Sequence, residues 1–283
     1  MTSMGEPDAR RGATDRPGDA VPDLLAVRDL TVRFGGVTAL DRVSFAVPGG
    51  QVCGLIGPNG AGKTTLFDCV SRLARPQAGR IELAGRDLPA HPHQVAALGV
   101  ARTFQHLGLV ASLSVRDNVM LGAAAGMRRS DGQHRSRSGF AASALRLPRV
   151  RAEERALRRR ADEVLDRLGL AGIAARRAAG LPYGTLKRIE LARALAAGPS
   201  LLMLDEPASG LSHGEVDELA GLIEEVCRDG DLTVLLVEHH MGIVMRLSDT
   251  VVVLDFGRVI AAGTPAEVRE DPAVLEAYLG VST

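Results

Sequence analysis

A chain of 283 residues, 46% of them hydrophobic, can bury a large core as one domain or as one domain with a subdomain. Its 34 basic and 34 acidic residues cancel, so no overall field marks it for nucleic acid or for an anionic membrane surface. Cys53, Cys69 and Cys227 form an odd set without metal-ligand spacing, which argues against a disulfide framework and a zinc site and for buried thiols in a reducing compartment.

Residues 1–23 are polar and rich in Pro, Gly, Asp and Arg, and predict a disordered tail without the apolar centre of a signal peptide. From Leu25 to Phe34 and from Val43 to Val47 apolar and polar residues alternate, predicting half-buried strands on either side of a Gly35-Gly36 turn, a small antiparallel layer. Val52-Cys53-Gly54-Leu55-Ile56 is an apolar run short enough for a buried strand. It leads into Gly57-Pro58-Asn59-Gly60-Ala61-Gly62-Lys63-Thr64-Thr65, after which Thr65 to Leu73 has helical character.

Strand, glycine-rich turn and helix in that order form a P-loop. Glycines let backbone N–H groups converge on phosphate oxygens without obstruction by Cβ, and the helix presents its positive dipole end to the same anion. Lys63 then reaches the β and γ phosphates of a nucleoside triphosphate, and Thr64 supplies a Mg²⁺ ligand.

Arg80 to Leu83 and Val100 to Gln105 read as further short strands. From about Ser114 to Leu168 the pattern is helical, interrupted by a polar stretch from Met127 to Gly139 that reads as an exposed loop. In the helix beginning near Arg151, Leu157, Ala161, Val164, Leu165 and Leu168 share one face while Arg158, Arg159, Arg160, Asp162 and Glu163 stay in water. Beyond Gly180, apolar runs at 201–204, 234–237 and 251–254 alternate with helical segments, as in a parallel sheet with crossover helices. The run at 201–204 ends in Asp205-Glu206-Pro207. Ligands of open α/β sheets bind at the carboxyl ends of strands, so both acids face the P-loop's crevice, Asp205 toward Mg²⁺ and Glu206 toward the water that attacks the γ-phosphate.

In order and spacing these motifs resemble the nucleotide-binding subunit of an ATP-binding cassette (ABC) transporter over about Leu24 to Gly280. The resemblance implies a P-loop NTPase (RecA-like) α/β core with a mostly parallel sheet, an N-terminal antiparallel β layer and an inserted α-helical subdomain over about 106–195. It implies ATP and Mg²⁺ as ligands. Phe34 matches the aromatic residue that stacks on adenine, with a core or edge-strand role as the alternative. Gln105 matches the glutamine that approaches Mg²⁺ and the attacking water, on a loop that touches the transmembrane partner. His239 matches the switch histidine on the γ-phosphate; His240 beside it makes a poor metal pair, because adjacent residues project in different directions.

Leu181-Pro182-Tyr183-Gly184-Thr185 stands where the family carries its signature loop. Pro182 replaces the usual serine, leaving the backbone and dipole of the following helix, with Leu181, Tyr183 and Gly184, to meet nucleotide. Tyr183 and the tail ending Tyr278-Leu279-Gly280 are similar to the branched-chain amino acid importer subfamily. Ser212 stands where many members carry Asp and keeps a short polar group there.

What the resemblance implies is an ATPase working as a homodimer or paired with a similar ATPase. It would work at the cytoplasmic face of the membrane on two permease subunits, with an indirect link to an extracytoplasmic solute-binding protein. Each ATP is sandwiched between one P-loop and the partner's signature loop. Related cassettes for urea, amides or lipids stay open, as do a soluble ABC-type ATPase and a regulatory nucleotide binder that hydrolyses poorly. No nucleic acid is expected, and no apolar run is long enough for a membrane span.

Overall fold

The computed structural model describes residues 21–104, 107–130, 148–228 and 231–279. Residues 1–20 of the expected tail, Gln105, most of the expected 127–139 loop and Gly280 lie outside them.

In chain order the first strands are β1 (Asp23–Phe34), β2 (Val37–Pro48) and β3 (Val52–Ile56). Helix α1 (Lys63–Val70) follows, then β4 (Ala78–Leu83), β5 (Arg86–Asp87), α2 (Pro92–Ala97) and β6 (Val100–Arg102). The helical segment comprises α3 (Val115–Ser130), α4 (Pro148–Arg167) and α5 (Tyr183–Ala196). The chain returns through β7 (Leu201–Asp205), α6 (His213–Cys227), β8 (Thr233–Val237) and α7 (Met241–Leu247). It finishes with β9 (Thr250–Asp255), β10 (Arg258–Gly263), α8 (Pro265–Glu270) and α9 (Pro272–Leu279).

Two sheets result. The first is antiparallel, with order β2-β1-β4-β5. The second runs β10-β9-β3-β8-β7-β6 and is parallel except for the β9–β10 hairpin. The reason for the continuous apolar runs lies in the packing. Leu201 and Met203 of β7, with Leu235 and Val237 of β8, share one core with the antiparallel sheet and with Leu66, Phe67 and Val70 of α1. Their alternating neighbours Leu202, Leu204, Val234 and Leu236 share the other core with α3 to α6. A strand covered on both faces has no polar face to show. Each such side chain contributes about 1.5–3 kcal/mol of transfer free energy.

The three cysteines are free, Cys53 and Cys69 buried and Cys227 partly so, and burial pushes their thiols up to about 12, 11 and 11. Ala161, Val164 and Leu165 form the buried face of α4, and Leu168 just past its end is buried with them. Beside that face Asp162 is half-buried and accepts a hydrogen bond from Arg116 of α3 at 2.6 Å, so it does not stay wholly in water as expected. At Gly122 of α3 an added Cβ would lie 1.9 Å from the Arg193 carbonyl oxygen, so only glycine lets α3 approach α5 this closely.

Several boundaries differ from expectation: β1 opens at Asp23, inside the stretch expected as tail, and β2 starts at Val37 rather than Val43 because it pairs with β1 up to the Gly35-Gly36 turn. Helix α3 continues to Ser130, so Met127 to Ser130 are helical and not loop; arginine is a good helix former, and polarity alone did not reveal that. Strand β6 stops at Arg102, because the chain leaves the sheet once Thr103 N–H has bonded the Met203 carbonyl at 2.9 Å. Helix α1 begins at Lys63 and ends at Val70, with Leu73 N–H turned back onto the Asp68 carbonyl.

Candidate functional site

The loop from Gly57 to Gly62 crosses from β3 to α1 at the carboxyl end of the parallel strands. Gly57 has φ 148, and a Cβ there would stand 2.0 Å from the Leu254 carbonyl oxygen, so β9 itself shapes the loop. The turn of the β9–β10 hairpin steadies it again, with Gly257 N–H donating to the Ala61 carbonyl at 3.1 Å. Lys63 opens α1, is 7% exposed, and donates from Nζ to the Gly57 and Pro58 carbonyls at 2.7 and 2.9 Å. Burial holds its ammonium below the usual lysine range, and the Glu206 charge acts in the opposite direction. Thr64 is exposed beside it on the first turn.

Asp205 ends β7, and Glu206 follows in the left-handed region at φ 48 with its N–H on the Val237 carbonyl at 2.9 Å. That turn aims the Glu206 side chain at the end of β8. There Oε1 meets Nε2 of His239 at 2.9 Å. Thus the P-loop lysine, both acids and the histidine expected from sequence converge on one end of the sheet. Phe34 closes β1 and is 56% exposed, which removes the core reading and leaves its ring available for stacking.

The signature residues lie elsewhere. Pro182 N-caps α5, with Leu181 buried, Tyr183 exposed and Gly184 buried. Their neighbours belong to the segment after Glu206: a Cβ on Gly210 would sit 3.1 Å from the Tyr183 ring, and one on Gly184 would sit 2.4 Å from Glu215 Oε1. Among the described residues, no hydrogen bond joins Leu181–Gly184 to Gly57–Thr65. Ser212 is already engaged as the N-cap of α6, its hydroxyl and N–H both donating to Glu215 Oε2 at 2.7 and 2.9 Å.

The C-terminal helices join the same region. Val268 and Val274 pack with Ile56, the residue before the P-loop, and with Val244 of α7. Burial raises the Tyr278 phenol, and a hydrogen bond with the Gly57 backbone opposes that rise.

Sequence reasoning passed over two residues of the site. Glu238 is one, buried at the end of β8 with its carboxylate on the N–H groups of Ala208 and His239. The other is Arg102, whose side chain is 8% exposed and whose guanidinium bonds Asp68 Oδ1 at 2.7 Å and Asp205 Oδ2 at 2.8 Å. It lies between the rings of Phe67 and Phe104, 5.4 and 5.1 Å from their centroids. Arg102 therefore ties Asp68 of the P-loop helix, Asp205 at the end of β7 and the Phe104 ring into one node. Arg102→Ala leaves Asp205 buried without its cation, and is expected to cost about 3 kcal/mol, a fall of roughly 6 °C in Tm by calorimetry. An unchanged Tm would mean that the node carries no net stability.

Oxygen donors suit Mg²⁺, and the Thr64 hydroxyl and the Asp205 carboxylate are of that kind. No group of three or more His, Cys, Asp or Glu residues placed to hold a metal ion occurs among the described residues.

The family model described as ABC transporter matches residues 40–209, and one described as branched-chain amino acid ATP-binding cassette transporter matches residues 258–282. The chain is 41% identical to the high-affinity branched-chain amino acid transport ATP-binding protein LivG of Salmonella typhimurium, over 91% of this chain and 98% of that protein. It is 40% identical, with the same coverage, to BraF of Pseudomonas aeruginosa, which bears the same description. Among solved structures, a nucleotide-free ATP-binding cassette of an ABC transporter superposes with a TM-score of 0.75 at 28% identity, covering 91% of this chain and 99% of that one. The ADP conformation of the cassette MJ1267 gives 0.75 at 27%, covering 92% and 99%. The chain belongs to the ABC transporter family, as an ATP-hydrolysing nucleotide-binding cassette.

Proposed function

We propose that this cassette powers an importer of branched-chain or related hydrophobic amino acids, hydrolysing ATP between two cassettes paired head to tail. The observation that carries the catalytic part is the Glu206–His239 pair, 2.9 Å apart, beside the buried Lys63. The solute class rests on LivG and BraF, whose names give branched-chain amino acids, and on the subfamily match at residues 258–282.

In this reading Gly57 to Thr65 hold the triphosphate, Lys63 supplies positive charge at the β and γ phosphates, and Phe34 stacks on adenine. Thr64, Asp205 and Gln105 would hold Mg²⁺, which when bound would supply neutralising charge to the triphosphate. Glu206 takes the proton of the attacking water as general base. His239 meets Glu206 Oε1 through Nε2 and orients that carboxylate, and its ring is the group that meets the γ-phosphate when ATP binds.

The sandwich is supported by the separation of function within one chain. The amino end of α5, with Leu181, Tyr183 and Gly184, is an anion-binding helix terminus whose hydrogen bonds do not include its own P-loop. A second copy, turned head to tail, brings that terminus to the nucleotide.

No helix among the described residues is long and apolar enough to cross a membrane, so transport requires separate permease subunits. Their docking site is a groove of about 350 Å³ lined by Gly99, Arg102, Leu121, Gly122, Glu190 and Arg193. Exposed Leu98 and Phe104 lie within two positions in the chain of its lining residues Gly99 and Arg102.

The test is affinity capture from native membranes with tagged Glu206→Gln, ATP and Mg²⁺. Co-purification of two integral membrane subunits that belong to an amino acid importer is the expected result. A soluble homodimer alone, or permeases for urea, amides or lipids, would overturn the importer assignment.

A further inference from the structure

Glu238 precedes the switch histidine and is 2% exposed, a carboxylate buried at the end of β8. Its two oxygens point in two directions. Oε1 accepts the Ala208 N–H at 2.7 Å, from the segment that follows Glu206. Oε2 accepts the N–H groups of His239 at 3.0 Å and His240 at 3.4 Å. The carboxylate thus anchors the backbone two residues after Glu206 and the backbone of His239 itself.

We infer that Glu238 is a positioning residue for ATP hydrolysis, fixing Glu206 and His239 relative to each other through the backbone on either side of them. The inference rests on the roles given above to Glu206 and His239. Glu206 sits at φ 48, a left-handed conformation that a residue with a Cβ keeps only when its surroundings hold it there. On its N-terminal side the hold is the bond from Glu206 N–H to the Val237 carbonyl at 2.9 Å. On its C-terminal side it is Ala208 N–H on Glu238, and Ala208 is fully buried, so no water can replace the acceptor.

The other carboxylate oxygen anchors the first residues after β8, from which the His239 imidazole reaches across to Glu206. One carboxylate thus closes a ring of contacts running from Glu206 through Ala208, Glu238 and His239 back to Glu206. Opening the ring removes one anchor near each end of the 2.9 Å contact. The segment from Ala208 continues to Gly210, against which Tyr183 packs, so the same anchor also holds the floor beneath the signature loop.

The closing experiment compares Glu238→Gln and Glu238→Asp with the wild-type protein. An amide has one acceptor oxygen, so its NH₂ must face either Ala208 N–H or His239 N–H. Aspartate keeps the charge but is one methylene shorter and reaches only one side. Displacements of about 1 Å at a reacting pair can cost about 100-fold. The expected result is therefore a kcat lowered about 10- to 100-fold in both variants. ATP affinity measured by calorimetry stays within about twofold, because Lys63 and the P-loop are untouched.

Combining Glu238→Gln with Glu206→Gln is expected to add almost nothing to the loss from Glu206→Gln alone, since both act on one contact. The His239 ring resonances in ¹⁵N-labelled protein are expected to shift in Glu238→Asp, which keeps the fold readable if Glu238→Gln does not accumulate. Unchanged kcat in the folded variants would overturn the inference. So would parallel losses of kcat and affinity that multiply in the double variant, the mark of general destabilisation. If Glu206→Gln itself turned over ATP like wild type, the assignment of the pair would fail first and take the positioning role with it.

Discussion

Glu206→Gln is expected to lower ATP turnover by about 10²- to 10⁴-fold, the range supplied by a positioned general base. Glutamine keeps the shape of the side chain and a hydrogen bond to His239, but it cannot accept a proton at neutral pH. The cost therefore falls on the chemical step and not on binding. Glu206 is also the charge that favours the Lys63 ammonium against its desolvation, and its removal leaves the net positive charge at the phosphate site larger. ATP affinity is accordingly expected to hold or rise. With hydrolysis blocked, ATP remains between the two cassettes, and size-exclusion chromatography at saturating ATP and Mg²⁺ is expected to give a dimer. A monomer under those conditions contradicts the head-to-tail sandwich, and wild-type turnover removes Glu206 as the base.

Lys63→Ala is expected to weaken ATP binding by about 10²- to 10³-fold. The ammonium is desolvated and donates to the Gly57 and Pro58 carbonyls of its own loop, and these donors turn to phosphate oxygens when ATP binds in the proposed mechanism. Hydrogen bonds to charged groups contribute about 1.5–3 kcal/mol each, and each 1.4 kcal/mol is about tenfold in affinity. Two such contacts to phosphate oxygens reach the stated range. The fold should survive, since alanine is a good helix former at the first position of α1 and the carbonyls left behind stand at the open end of the sheet. Titration calorimetry with ATP provides the measurement; undiminished affinity would remove the P-loop assignment altogether.

What could be read from the chain was local. A phosphate cradle is built from consecutive backbone N–H groups, so its residues must be neighbours in sequence, and Gly57 to Thr65 announce themselves. Buried parallel strands need apolar residues on both faces, so the runs ending at Asp205 and Val237 stand out. The acids and the histidine at those strand ends follow, because open sheets bind ligands there. The antiparallel first layer was legible by its alternation. Helix ends were less so: the arginine-containing stretch after Met127 read as loop, yet α3 carries on to Ser130.

The sequence by itself determined the phosphate loop, the acid-ended strands and the ATP-binding cassette to which they belong, since each is a contiguous pattern with one physical use. Only the tertiary structure decided how those parts are held in place. Arg102 meets Asp68 and Asp205 across 34 and 103 positions, and Glu238 meets Ala208 across 30. It also decided that Tyr183 packs on Gly210 and that the Ser212 hydroxyl is spent on a helix cap. Strand order β10-β9-β3-β8-β7-β6 brings these distant residues together. Charge pairing and backbone anchoring act through space over a few ångströms, and chain distance carries no record of them.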